Sequence, residues 1–250
     1  MTGQTLHRWI GIATRPAVDG IEARAAVEDD FHNFRVALLV RDGHVRHAVG
    51  TSRRFPWRTC SAAGGRISEL VGMAVSDVAQ SVVRYTEPAL QCTHMLDLAG
   101  LAVAAVARGD RWREYRAAVP RRIDDRTRAT LDRDGRRLLD WGVDGVTIVD
   151  PYPFAGQNLR VGFARWAFAN LDTEIAEAAL ILRRCVVISL GRVRNLDMVD
   201  RAQPDGHCFS QQPDIALNAT RMLGSTWDFT AEADRPGRTD KSWLRFTDGE

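Results

Sequence analysis

The sequence turns twice on the same dipeptide. FRVALLV (34–40) passes Arg41 into Asp42-Gly43 and leaves along HVRHAVGTS (44–52), and RTRATLDR (126–133) passes into Asp134-Gly135 and leaves along RRLLDWGVD (136–144). An Asp-Gly pair between alternating apolar and polar residues is the signature of a two-residue β-hairpin, because both central positions need positive φ. Two such hairpins commit the chain to antiparallel sheet. IEARAAV (21–27) reads as a strand ahead of the first hairpin, and GVTIVDPYP (145–153) as a strand after the second, stopped by Pro151.

Helices are expected around these strands. CSAAGGRISELVGM (60–73) is helical to near Gly72, with Gly64 and Gly65 weakening its start, and SDVAQSVV (76–83) is a short helix. HMLDLAGLAVAAVA (94–107) is apolar nearly all round, as a buried helix is, and Thr93 is placed to cap it. In the second half VGFARWAFANL (161–171) and DTEIAEAALILRRCVVISLG (172–191) follow the hairpin, the latter capped by Asp172 with Glu174 in its first turn. PDIALNATRML (213–223) is a last helix. The expected class is therefore α+β, a small antiparallel sheet backed by helices. FRVALLVRDG and TRATLDRDG are alike enough to suggest an old duplication. The expected division is 1–107, 108–223 and a polar tail from 224 to 250, only partly ordered.

Composition removes several functions. Hydrophobic residues make up 45% and charged residues 26%, as in a soluble globular domain. No apolar run reaches the roughly 18 residues of a membrane helix. The first residues lack a signal-peptide pattern, so the chain is expected to be cytoplasmic, with its thiols reduced. A net charge of +2 with scattered arginines gives no support for nucleic-acid binding. Lys241 is the single lysine, and it lies in the polar tail. There is no Gly-Lys-Ser/Thr loop for nucleotide phosphates and no buried lysine for Schiff-base chemistry.

What remains is a set of metal-ligand residues. His32, Cys60, Cys92 and His94 fall within 63 residues of a chain that has four cysteines and six histidines. Thiolates and neutral imidazoles are the donors zinc prefers. Cys60 and the Cys92–His94 pair sit at expected helix starts, where the helix dipole favours a thiolate. Asp97 lies three residues beyond His94, on the same face, where it can orient the imidazole. Asp29 and Asp30 precede His32 at a strand start and supply a candidate general base, and Arg53 or Arg54 an anion clamp. Cys185, mid-helix among apolar residues, reads as core, and His7, His44 and His47 as surface or satisfied residues. Cys208 with His207 forms a second, weaker pair that either packs near the site or lines the core.

The stretch DGHVRHAVGTSRRFPWRTCSAAGGRISELVGM resembles the iron–sulfur scaffold proteins of the NifU/IscU kind, in which a hairpin precedes a cysteine at a helix start. Cys60, Ala63, Leu70 and Gly72 match that pattern, and PALQCTHMLDLAGLAVAA is similar to their later helix start. The resemblance covers residues 25–107 and implies a three-stranded sheet backed by helices, with a metal site where loops and helix starts meet. The whole chain also resembles an uncharacterised bacterial domain family marked by E-D-D-x-H (Glu28–His32), P-W-x-x-C (Pro56–Cys60) and C-T-H-x-x-D-L (Cys92–Leu98).

Cluster assembly needs several thiolates, and this half offers two. The expected centre is therefore mononuclear, with zinc as the metal and iron as the alternative. The expected function is a lyase of the retro-aldol type or a hydrolase. Its substrate would be a small molecule, aromatic or carboxylate-bearing, because Phe31, Phe34, Phe55, Trp57 and the arginines lie near the ligands. The alternative is a non-catalytic metal or iron–sulfur scaffold or carrier.

Overall fold

A computed structural model describes residues 4–193 and 195–247. Its strands are β1 (Thr5–Ala17), β2 (Gly20–Asp29), β3 (Asn33–Arg41), β4 (His44–Arg54), β5 (Trp112–Pro120), β6 (Arg126–Arg133), β7 (Arg136–Asp144) and β8 (Thr147–Asp150). They form one eight-stranded antiparallel sheet in the order β4-β3-β2-β1-β5-β6-β7-β8. Three α-helices exceed a single turn or so: α1 (Thr93–Arg108), α2 (Phe163–Asn170) and α3 (Thr173–Ser189). The α+β class holds, with a sheet of eight strands where the scaffold-protein resemblance implied three.

The chain gathers into two compact units, each built from separated stretches. One comprises Ile10–Arg113, Leu196–Trp227 and Gly237–Glu250, and is called the site unit below. The other comprises Met1–Trp9, Glu114–Asn195 and Asp228–Pro236, and is called the aromatic unit.

In the site unit, β2 and β3 pair from Ile21↔Val40 to Glu28↔Asn33, which leaves Asp29 to His32 as a tight turn. β3 and β4 pair from Asn33↔Arg54 to Arg41↔His44 around Asp42-Gly43. Helix α1 packs on β2 and β3. Ten of its residues from Met95 to Ala105 are buried, as its all-round apolar sequence requires. Small residues let it approach closely: a Cβ on Gly100 would lie 2.1 Å from the Ala79 carbonyl oxygen. The segment after β4 is a 3-10 helix, Arg58–Leu70, rather than the α-helix expected for 60–73. Gly64 and Gly65 cost helix propensity there. A Cβ on Gly64 would meet the Gly50 carbonyl oxygen at 2.3 Å, so glycine lets this segment lie against β4.

The aromatic unit fills its core with rings. Trp141 on β7 lies 5.1 Å from Phe154 and 5.7 Å from Phe163 between centroids, and Trp166 of α2 packs on both phenylalanines. Trp141, Phe163 and Tyr115 are fully buried, each worth roughly 2–3 kcal/mol of apolar transfer. Helix α3 lies on β6 and β7 and brings in one carboxylate, Glu177, which accepts a 2.7 Å hydrogen bond from the Tyr115 hydroxyl in the buried interior. Cys185 is fully buried in α3, as expected.

Three further expectations are corrected. Strands β1 and β5 occupy the two middle positions of the sheet, where no strand was expected. The helix expected over 213–223 is a single turn, Pro213–Ala216, because Thr220 and Arg221 instead bridge to Arg201 and Trp57. The tail is packed: Phe229, Asp240 and Leu244 are buried.

Candidate metal and acid–base site

The candidate ligands, base, clamp and orienting residues named from the sequence lie in the site unit. The turn Asp29-Asp30-Phe31-His32 closes with a hydrogen bond from the Asp29 amide to the His32 carbonyl, 2.9 Å. Asp29 is fully buried. Its Oδ1 accepts from the amides of Phe31 and His32, both at 2.8 Å, and lies 3.0 Å from His32 Nδ1. A buried carboxylate at Nδ1 selects the tautomer with the proton there, so Nε2 carries the lone pair. An Asp at the first position of a tight turn is what permits this, since its short side chain reaches the amides two and three residues on.

His94 stands in the first turn of α1, and its ring centroid is 4.0 Å from that of His32. Phe34, on β3, packs on both imidazoles, at 5.6 and 5.8 Å. Phe31 and Phe34 are buried, so they wall the imidazoles. Asp97 is half-buried one turn along α1. The residue at the helix N-cap is Cys92 rather than Thr93, and its side chain makes no capping hydrogen bond.

Three of the four thiols converge from distant parts of the sequence. Cys60 Sγ lies 3.3 Å from the Ser210 hydroxyl, which also accepts a hydrogen bond from Thr59. The amide of Phe209 donates to the Gln91 carbonyl at 2.9 Å, which brings Cys208 beside Cys92. The thiols feel one another: a charge on Cys60 would raise the pKa of both Cys92 and Cys208. Burial dominates all three. It pushes the Cys60 thiol up, Cys92 to about 12 and Cys208 to about 11. The helix start does act on Cys92, through the amides of Met95 and His94, but more weakly than burial raises it. The thiolate expected from the helix dipole alone is therefore not the resting form. Among the described residues, no three His, Cys, Asp or Glu side chains stand together as a ready metal cage.

Arg53 and Arg54, neighbours in sequence, differ completely. Arg53 is exposed on β4. Arg54 is buried, and its guanidinium donates to the carbonyls of Asp29, Asp30, His32 and Ser225 and to the Glu28 carboxylate. Burial draws its pKa down, against the opposing pull of Asp29 and Glu28. Strand alternation decides this: Arg54, paired opposite Asn33, faces inward and Arg53 outward. Asp30 is fully buried at the tip of the turn.

Sequence reasoning left Cys208 undecided and did not notice Ser210 or Trp227. Their signal is tertiary, since all three reach the site from beyond residue 196. No helix among the described residues is long and apolar enough to cross a membrane.

A family model described as "Protein of unknown function (DUF2889)" matches residues 14–108. That stretch holds Asp29, His32, Arg54, Cys60, Cys92, His94 and Asp97, but not Cys208. No curated protein matches the chain.

Proposed function

We propose that this protein is a metal-dependent enzyme, a lyase of the retro-aldol type or a hydrolase, with zinc drawn from the donors Cys60, Cys92, His94 and His32. The observation that carries this reading is the pair of close imidazoles, their centroids 4.0 Å apart and their planes tilted by 31°, one of them held by a buried carboxylate so that Nε2 is the basic atom. A carboxylate behind a histidine is how proteins orient metal-binding imidazoles. When bound, zinc would polarise a carbonyl or hydroxyl oxygen of the substrate. Asp29 serves orientation. Asp30 would be the carboxylate that moves a proton, and Arg53, which is exposed on β4, would have to turn toward the site to meet a carboxylate on a small substrate. A reducing, cytoplasmic setting suits the free thiols.

Binding would require the thiols to lose their protons and the donor side chains to draw together. Zinc affinity should therefore rise steeply with pH. The test is the metal content of protein purified without chelator, followed by X-ray absorption at the metal edge. About one zinc per chain with mixed sulfur and nitrogen ligands and an open or water-filled position supports the enzyme. Absence of metal, together with no uptake on titration at pH 8, removes the reading.

The third thiol favours one rival. If Cys208 joins Cys60, Cys92 and His94, the coordination sphere is closed and the centre is structural or in transit, as in a scaffold or carrier. Sulfur coordination that falls by one ligand in Cys208→Ser would decide for that alternative.

A further inference from the structure

The turn that carries Asp29 and His32 is gripped from outside itself. The carbonyl of Asp30 accepts twice, from Arg54 at 2.9 Å and from the Trp227 amide at 2.7 Å. Arg54 also holds the carbonyl of Ser225 at 2.9 Å, and its guanidinium lies over the Trp227 ring, 4.2 Å from the centroid. The Gly237 amide donates to Glu28 at 2.8 Å, and Glu28 in turn pairs with Arg54 at 3.4 Å. Asp240, fully buried, accepts from Asn33 at 3.1 Å and Arg35 at 2.6 Å on the far side of the same turn. A planar guanidinium has five donors in a fixed fork, a wider spread than an ammonium's three, and so can bind several carbonyls set apart around it.

We propose that Arg54, backed by Trp227, is a positioning residue that fixes the 29–32 turn so that Asp29 holds His32 with Nε2 bare toward the site. The role of His32 rests on the reading above, and the orientation of its ring does not. Arg54 thus acts through the backbone and never meets the ligand. Its partners come from the polar C-terminal stretch, which makes that stretch part of the site's machinery.

Long-range proton–nitrogen spectra of metal-free, uniformly 15N-labelled full-length protein test this, with the His32 signals identified by their loss in His32→Gln. The wild type should show a protonated Nδ1 and a bare Nε2. In Arg54→Gln, His32 should revert to the ordinary mixture rich in the Nε2–H form, and zinc affinity should fall at least tenfold, while far-UV dichroism is unchanged. Trp227→Phe keeps the backbone donor and a ring face, and should keep the wild-type tautomer. A folded Arg54→Gln protein with the wild-type His32 pattern and zinc affinity within twofold overturns the proposal. If that variant does not fold, Arg54→Lys is read by the same criteria, because an ammonium cannot span the carbonyls. A wild type that takes up no zinc would sink the metal reading alone, and the tautomer comparison would still decide the role of Arg54.

Discussion

Hairpins β3–β4 and β6–β7 turn on the same dipeptide with nearly the same backbone. Asp42 and Gly43 have φ of 51° and 69°, and Asp134 and Gly135 have 52° and 79°. Each hairpin is followed by a long helix, α1 packed on β2 and β3 after the first and α3 packed on β6 and β7 after the second. The difference lies in what the helix brings. Helix α1 starts with a thiol and an imidazole beside a polar turn, while α3 brings one carboxylate to a tyrosine in a core of rings. The same local plan carries a cluster of thiols and imidazoles in one unit and a core of rings in the other, because backbone geometry leaves the chemistry to a few side chains.

Substitutions should separate the two units by what they cost. The largest effect is expected from Trp141→Ala, about 4 kcal/mol of stability from lost burial and the cavity left behind, read from urea unfolding. Glu177→Ala should cost about 3 kcal/mol, since it removes the charged acceptor of the buried Tyr115 hydroxyl, and Glu177→Gln should restore most of that. Gly64→Ala should cost about 2 kcal/mol, because its Cβ has no room against Gly50. A cost below about 0.5 kcal/mol would mean that the 3-10 segment is not held where described. In Cys92→Ser the pattern inverts, with a stability change near 1 kcal/mol but loss of metal, if the proposed centre is right.

The thiols also make the site unit sensitive to alkali. The Cys92 pKa is raised in the fold, from an ordinary 9.0 to about 12, so protonation favours the native state. That contribution is complete below pH 9 and is lost as pH climbs toward 12. Metal-free protein should therefore lose stability between pH 9 and 11 more steeply than Cys92→Ala does, measured by urea midpoints. Equal slopes would mean that the thiol is not buried as described. The smallest expected effects are Gly43→Ala and Gly135→Ala, about 1 kcal/mol each, and their equality is itself the check that the two turns are alike.

Much of the fold was legible. The Asp-Gly turns, β2, β3, β4, β6, β7 and β8, and helices α1, α2 and α3 all follow from local alternation, helical periodicity and turn chemistry. β1 was hidden because residues 8 to 13 are buried on both faces, which erases the period of two, and because Gly11 and Pro16 read as punctuation. β5 alternates correctly, with Tyr115, Ala117 and Val119 buried, but its small and charged residues carry little strand propensity. Of the candidate site, the residue types and the helix start at Cys92 could be read. The thiol protonation could not, since burial depends on the whole unit and outweighs the local helix dipole.

The sequence by itself determined the hairpins, the helices and the presence of soft donors, because these depend on neighbours a few residues apart. Only the tertiary structure decided that Asp29 fastens His32, that Arg54 faces inward onto the turn while Arg53 faces water, and that Cys208 lies close enough to Cys60 and Cys92 to share their electrostatics. Those contacts join residues up to about 150 positions apart. Their existence depends on which faces the folded sheet buries, and that is settled by the fold as a whole rather than by local spacing.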